Sequence, residues 1–285
     1  MLRNINLVVG LLASCVASVD AATVFSFANF STCTGLQING AAACTSGVLR
    51  VTPALFSQSG SAFSTTQVPL GAGASFSTAF AFQITGSGGS ADGDGLGADG
   101  IVFVVQPVAS TLGTGGAGIG YAGIPTSLGV EFDTWDNGIV AGDPNGNHVG
   151  IDINGSVNSV QTALIPTRLN DGNVWFAWID YDGTTLELRL SQAPTRPAAP
   201  TLSRVVNLST ILGTNTAFVG FTSGTGAAFA NHDILSWRFD NAFAPIGGGT
   251  ATGPQLVPTL SEMAIALLAC MMVGLGWRAL RRRRA

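Results

Sequence analysis

The sequence predicts an all-β chain of two packed antiparallel sheets, and three observations carry that expectation. Glycine makes up 38 of the 285 residues, a level that suits many tight turns between short strands better than it suits helices. Apolar residues recur with a period of two in short runs, most cleanly in Leu186-Glu187-Leu188-Arg189-Leu190. No segment ahead of the C-terminal apolar stretch carries a helical period over a useful length.

Met1 to Ala21 reads as a secretory signal peptide: Arg3, the apolar run Leu7 to Ala13, and small residues at Val19-Asp20-Ala21. A competing reading takes Leu12-Ala13-Ser14-Cys15 as a lipoprotein box with Cys15 lipid-modified. Export sets an oxidising compartment, so Cys33 and Cys44 are expected to form a disulfide closing a small loop. The body, residues 22–243, is large for one core but normal for an all-β sandwich. Val24 to Phe27 opens it with a strand, and 47–53 and 58–63 follow as two more. Phe76, Thr78, Phe80, Phe82 and Ile84 alternate with mostly small residues, the pattern of a half-buried strand facing a core. Trp175 to Tyr181 runs into Asp182-Gly183, a hairpin signal, and the chain returns through 186–190. Ile234 to Phe239 closes the domain, and 244–256, rich in Gly, Pro and Ala, reads as a linker.

The last segment, 257–285, holds Val257-Pro258-Thr259-Leu260, the uncharged run Met263 to Trp277 and a terminal arginine cluster. It predicts a short transmembrane helix with its arginines on the cytoplasmic side and the body outside. All twelve basic residues are arginines, and only six fall within 22–261 against fourteen acids, a net charge of about −8. An acidic body argues against nucleic acid as a partner.

Chemistry concentrates in Gly129 to Asp152, where Glu131, Asp133, Asn137, Asp143 and His148 fall within a chain of which only 10% is charged. Val130 to Trp135 reads as a strand that puts Glu131, Asp133 and Trp135 on one face. Two neighbouring carboxylates are costly to bury without a cation. Gly138, Gly142, Pro144 and Gly146 then force a loop that returns Asp143 and His148 towards the pair. Oxygen donors from Asp133, Asn137, Asp143 and a backbone carbonyl suit calcium. Glu131, Asp133, Asp143 and the His148 imidazole suit a transition ion such as manganese.

These residues resemble the metal loop of the legume-type (L-type) lectins: a strand E-x-D-x-aromatic-x-N, a loop to D-P, then H-[IV]-G-I-D. The resemblance implies a concanavalin-like jelly-roll sandwich that binds glycans without catalysis. It assigns Glu131, Asp133, Asp143 and His148 to a transition metal, and Asp133, Asn137, Asp143 and the Trp135 carbonyl to calcium. Ser159 takes the place of a serine acting through a water ligand. Gly97 to Phe103 is similar to the family's A-D-G and apolar strand, which implies a cis peptide before Asp99 and a carboxylate that accepts hydrogen bonds from sugar hydroxyls. Taken alone, Asp99-Gly100 is an ordinary turn signal, and Asp92 and Asp94 read as a plain turn. Gly116 and Gly118 match the glycine-rich loop whose amide meets the ligand, and Gly226 and Ala227 match the specificity loop. Trp135 is either an aromatic face for the sugar or core. His232 reads as structural. The family also pairs its sheets into a homodimer.

The C-terminal segment resembles the IPTL-type sorting domain of bacterial surface proteins, which implies an anchored and then trimmed product at the cell envelope. Two other classes remain. Glu131 to Asp136 superficially resembles the E-x-D-x-x-E signature of laminarinase-like glycoside hydrolases, and a structural matrix protein would account for the anchor and the glycine. Neither accounts for Asn137, Asp143 and His148 together.

Overall fold

The computed structural model describes residues 21–113, 115–138 and 142–247. The signal peptide, the linker beyond 247 and the 263–277 span lie outside the described residues. Among the described residues no helix is long and apolar enough to cross a membrane.

The described strands are β1 (Thr23–Phe27), β2 (Leu36–Gly40), β3 (Ala43–Thr45), β4 (Val48–Thr52), β5 (Ser59–Ser64), β6 (Val68–Pro69), β7 (Phe76–Gly89) and β8 (Gly100–Gln106). They continue as β9 (Leu128–Asp133), β10 (His148–Ile153), β11 (Gln161–Leu164), β12 (Val174–Tyr181), β13 (Thr185–Ser191), β14 (Leu202–Val205), β15 (Thr216–Gly224) and β16 (Ala228–Asp240). One sheet runs β14-β13-β12-β7-β16-β4-β3 with β1 on β16, the other β11-β10-β9-β8-β15-β5-β2 with β6 on β15. The antiparallel sandwich agrees with the expected fold class.

Period-two burial builds the core. Phe76, Thr78, Phe80, Phe82 and Ile84 of β7 all turn inward, where Phe80 meets Phe132 of β9 and Phe221 of β15 edge-on at 5.7 and 5.0 Å. Trp237 packs on Phe221 and donates its indole N–H to Thr78 Oγ1 at 2.9 Å, so its one polar atom stays paired. β8 is buried on both faces. Ile101, Phe103 and Val105 join the main core, while Val102 and Val104 form a second cluster with Phe63, Ile119, Tyr121 and Ile124 on the opposite face of the second sheet. Residues 119–124 thereby cover part of the face on which the acidic residues sit.

The hairpin at Asp182-Gly183 forms as expected. Gly183 has φ 103°, and Asp182 Oδ1 accepts from the amides of Thr184 and Thr185. One helix lies between β14 and β15, α1 (Leu208–Leu212), with an Asn207 side-chain cap on Thr210 N and Gly213 in the left-handed region after it. The last strand begins earlier than its ILSWRF signature, at Ala228, which puts His232 inside β16.

Candidate functional site

The acidic cluster is a product of antiparallel register. β9 pairs with β10 so that Asp133 lies opposite His148 and Glu131 opposite Gly150, and residues directly opposite share a face. Val130 and Phe132 take the core side, leaving Glu131, Asp133, His148 and Asp152 together on the other. Glycine at 150 leaves room for this crowding: a Cβ there would stand 2.3 Å from Glu131 Oε1 and 2.0 Å from Ser159 Oγ, so both side chains would have to shift. His148 Nε2 lies 3.3 Å from Glu131 Oε1. Its Nδ1 is 2.8 Å from the Asn145 carbonyl, which can only accept, so Nδ1 carries a hydrogen and Nε2 is the ring atom that faces the carboxylates. That buried Nε2 has no hydrogen-bond partner.

β9 ends at Asp133, two residues short of the strand end expected at Trp135. The physical reason is local. Asp133 Oδ1 accepts the Trp135 amide at 2.7 Å and the Asp99 carbonyl accepts the Thr134 amide at 2.9 Å, so the next two donors leave the sheet ladder. Trp135 is half-buried beyond the strand end. Asp143 returns across the loop, its Oδ2 accepting the Asn137 amide at 2.6 Å. Donor atoms of Asp133, Asp143 and His148 all lie within 4.8 Å of one another.

The electrostatics follow from this crowding. Burial, reinforced by Glu131, holds Asp133 well above the usual carboxylate range, and the same causes hold Asp152 there. Burial also raises Asp143. For His148, burial acts downward, but the neighbouring Glu131 carboxylate outweighs it and raises its pKa. Ser159 Oγ contacts Glu131 Oε1 at 2.7 Å and Asp152 Oδ1 at 2.6 Å. A hydroxyl has one hydrogen, so one of these carboxyls must donate, and protonated Asp152 fits that part. Carboxyl groups crowded this way suit a bound cation, which would let them ionise together.

Beside the cluster, Ala98–Asp99 is a cis peptide bond. The Asp99 amide donates to the Gly224 carbonyl at 3.1 Å. Its carboxyl is only 4% exposed, with Oδ2 unpartnered, and burial pushes it up to about 7. Gly100 permits the approach of this turn to β9, since a Cβ would sit 2.3 Å from the Phe132 carbonyl oxygen. Gly116 and Gly118 form a short 3-10 turn whose Gly116 amide lies against Gly224. Gly226 is half-buried and Ala227 exposed in the 225–227 turn, with the Ala227 carbonyl accepting from Ser90 N at 2.9 Å.

Several residues belong here that the sequence reading passed over or read as plain. Asp92 and Asp94 do more than close their own turn. Asp92 Oδ2 accepts the Asp136 amide at 2.9 Å and Asp94 Oδ2 the Gly146 amide at 3.0 Å, tying the 90–99 loop to the metal loop. Arg168 Nη2 and Asn170 Nδ2 both donate to the Leu96 carbonyl, at 3.1 and 3.2 Å, from the other side. Asp152 was legible as a third charge in step with His148 and Gly150. The hydrolase arrangement does not form: Glu131 is 1% exposed beneath His148 and Ser159, whereas Asp136 is exposed and caps Gly138 N.

Residues 22–248 match the legume lectin domain, and 257–284 match the IPTL-CTERM motif. The chain is 34% identical over 227 residues to the L-type lectin-domain containing receptor kinase VIII.1 of Arabidopsis thaliana, covering 76% of this chain but 29% of that protein. It is 37% identical over 179 residues to the bark agglutinin I polypeptide B of Robinia pseudoacacia, covering 59% of each. Among solved structures it is similar to the winged bean acidic lectin complexed with methyl-α-D-galactose (TM-score 0.65, 28% identity, 79% of this chain and 100% of that one). It is also similar to lectin I of Ulex europaeus in complex with the methyl glycoside of α-L-fucose (TM-score 0.63, 27% identity, 79% and 99%).

Proposed function

The chain belongs to the legume lectin family, and from that premise we propose a metal-dependent, non-catalytic lectin whose binding residues converge on Asp99. The supporting observation is the Asp99 carboxyl, buried with an oxygen that no protein group satisfies. A buried acceptor without a donor is costly, and hydroxyls of a sugar supply the missing donors. Asn137, the Gly116 and Gly118 amides and the 226–227 turn would complete the grip, with Trp135 offering an apolar face at its edge.

Glu131, Asp133, Asp143 and His148 would hold a transition ion such as manganese, with Ser159 beside them. Asp133, Asn137, Asp143 and the Trp135 carbonyl would hold calcium. The unpartnered imidazole nitrogen and the crowded carboxyls fit that chemistry. When bound, the ions supply positive charge that stabilises the ionised carboxylates and the loop between β9 and β10. The protein's own part is to fix Asp99: Thr134 N donates to its carbonyl, and its amide donates to Gly224. The C-terminal motif supports export, and we place the lectin body at the cell envelope with 263–277 as its membrane anchor and a homodimer as its working form.

The test is a glycan array probed with the protein and with Asp99→Asn. The expected result is specific binding that the substitution reduces at least a hundredfold while thermal unfolding stays unchanged. Equal binding by both proteins would refute the assignment.

A further inference from the structure

We propose that His232, Thr52 and Ser223 are positioning residues for the sugar site, a hydrogen-bond chain that crosses the interior of the sandwich and fixes the Asp99–Gly100 turn from the opposite sheet. The inference rests on the lectin reading and deepens it by naming what aims the Asp99 carboxyl. His232 on β16 and Thr52 on β4 stand opposite one another in the first sheet, while Ser223 on β15 and Gly100, the first residue of β8, belong to the second. All three side chains are fully buried. His232 Nδ1 is 2.8 Å from Thr52 Oγ1, and Thr52 Oγ1 is 2.8 Å from Ser223 Oγ. Ser223 Oγ donates in turn to the Gly100 carbonyl at 2.7 Å.

The far end of the chain sets the direction of every bond in it. A carbonyl only accepts, so the one hydrogen of Ser223 goes to Gly100 O. Thr52 must then donate to Ser223, and the His232 ring must donate from Nδ1 to Thr52. Burial pulls the His232 pKa down to about 3, so the ring is neutral and Nε2 carries a lone pair that no protein group meets. A buried acceptor without a donor is costly, and an apolar side chain at 232 would avoid that cost. What the imidazole adds is direction. Two hydroxyls alone can rotate so that Ser223 donates to Thr52 and leaves Gly100 O unpaired, whereas an N–H at the head of the chain holds both hydroxyls pointing towards Gly100. The turn needs such a hold. Gly100 has φ 137°, a region open to glycine and to few other residues, so the peptide after Asp99 has a wide choice of conformation that the bond to its carbonyl narrows. The bonds from Thr134 N and to Gly224 O hold Asp99 from within its own sheet, and Ser223 ties the next residue to the other one.

The experiment compares the protein in calcium and manganese with Thr52→Val, Thr52→Ser, Ser223→Ala and the double variant Thr52→Val with Ser223→Ala. Titration calorimetry uses the methyl glycosides of D-galactose, N-acetylgalactosamine, L-fucose, D-glucose and D-mannose, and amide hydrogen exchange is followed at Asp99 and along β9 and β10. For every glycoside that the parent binds, Thr52→Val and Ser223→Ala should each weaken affinity about tenfold, the effect of one lost buried hydrogen bond. The Asp99 amide should exchange about tenfold faster in both, while exchange in β9 and β10 and the affinities for both cations stay as in the parent. Thr52→Ser, which keeps the hydroxyl, should restore affinity and exchange to within about twofold, and the double variant should be no weaker than the weaker single one, because either substitution cuts the same chain. Parent-like affinity and exchange in both single variants would overturn the proposal. So would a Thr52→Ser protein as weak as Thr52→Val, which would make the contribution one of packing. Ser223→Ala carries the same expectation if Thr52→Val does not fold. A parent that binds none of the glycosides would sink the lectin reading, and exchange at Asp99 would still decide whether the chain holds the turn.

Discussion

Buried titratable groups of opposite tendency sit within this domain. His232 is fully buried with Nδ1 2.8 Å from Thr52 Oγ1, and burial pulls its pKa down to about 3. The unfolded chain returns it to about 6.5. The folded value lies below the unfolded one, so its contribution is complete above about pH 6.5. That contribution is lost as pH falls towards 3, at up to about 1.4 kcal/mol per pH unit. Asp133 and Asp152, held above their unfolded range, act in the opposite sense in the metal-free protein. The comparison of parent with His232→Gln isolates the imidazole. Denaturant unfolding at pH 7, 5.5 and 4 should show a shallower acid-side loss in the variant; parallel curves would exclude His232 as the group.

At the scale of elements, the site is two strands and three loops held in register. Gly150→Ala places a methyl where Glu131 and Ser159 meet. Manganese affinity should fall by about 10- to 100-fold, the range for disturbed metal surroundings, and an unchanged titration would contradict the register argument. Arg168→Ala combined with Asn170→Ala removes both donors to Leu96 O, three residues before Asp99. Glycan affinity should drop about tenfold, on the order of 1–2 kcal/mol, with calcium affinity preserved; loss of both together would mean that the metal loop itself had moved. The sequence made the strands legible because side-chain period survives folding, as in Phe76 to Ile84, and made the metal loop legible because acids are rare elsewhere. The lacing was not legible. Asp92 reaches Asp136 over 44 residues and Arg168 reaches Leu96 over 72, partnerships that only the sheet order creates. α1, five residues long, is too short to show a period, and the end of β9 was hidden because Asp133 and Asp99 divert the amides that would have extended it.

For the whole molecule, stability and binding draw on separate parts. Cys33 and Cys44 form a disulfide that spans 11 residues, at the far edge of both sheets from β9 and β10. Closing a loop of that length constrains the unfolded chain by about 3 kcal/mol. Cys33→Ser with Cys44→Ser should therefore lower the unfolding free energy by roughly that amount and leave glycan affinity as it was; a parallel loss of binding would show that the disulfide edge shapes the site. The cations should do the reverse and govern binding first. The most direct measurement is glycan binding by one preparation before chelation, after it, and after calcium and manganese are restored. Binding that vanishes and then returns is the outcome this account predicts, and binding that persists in the metal-free protein would contradict it.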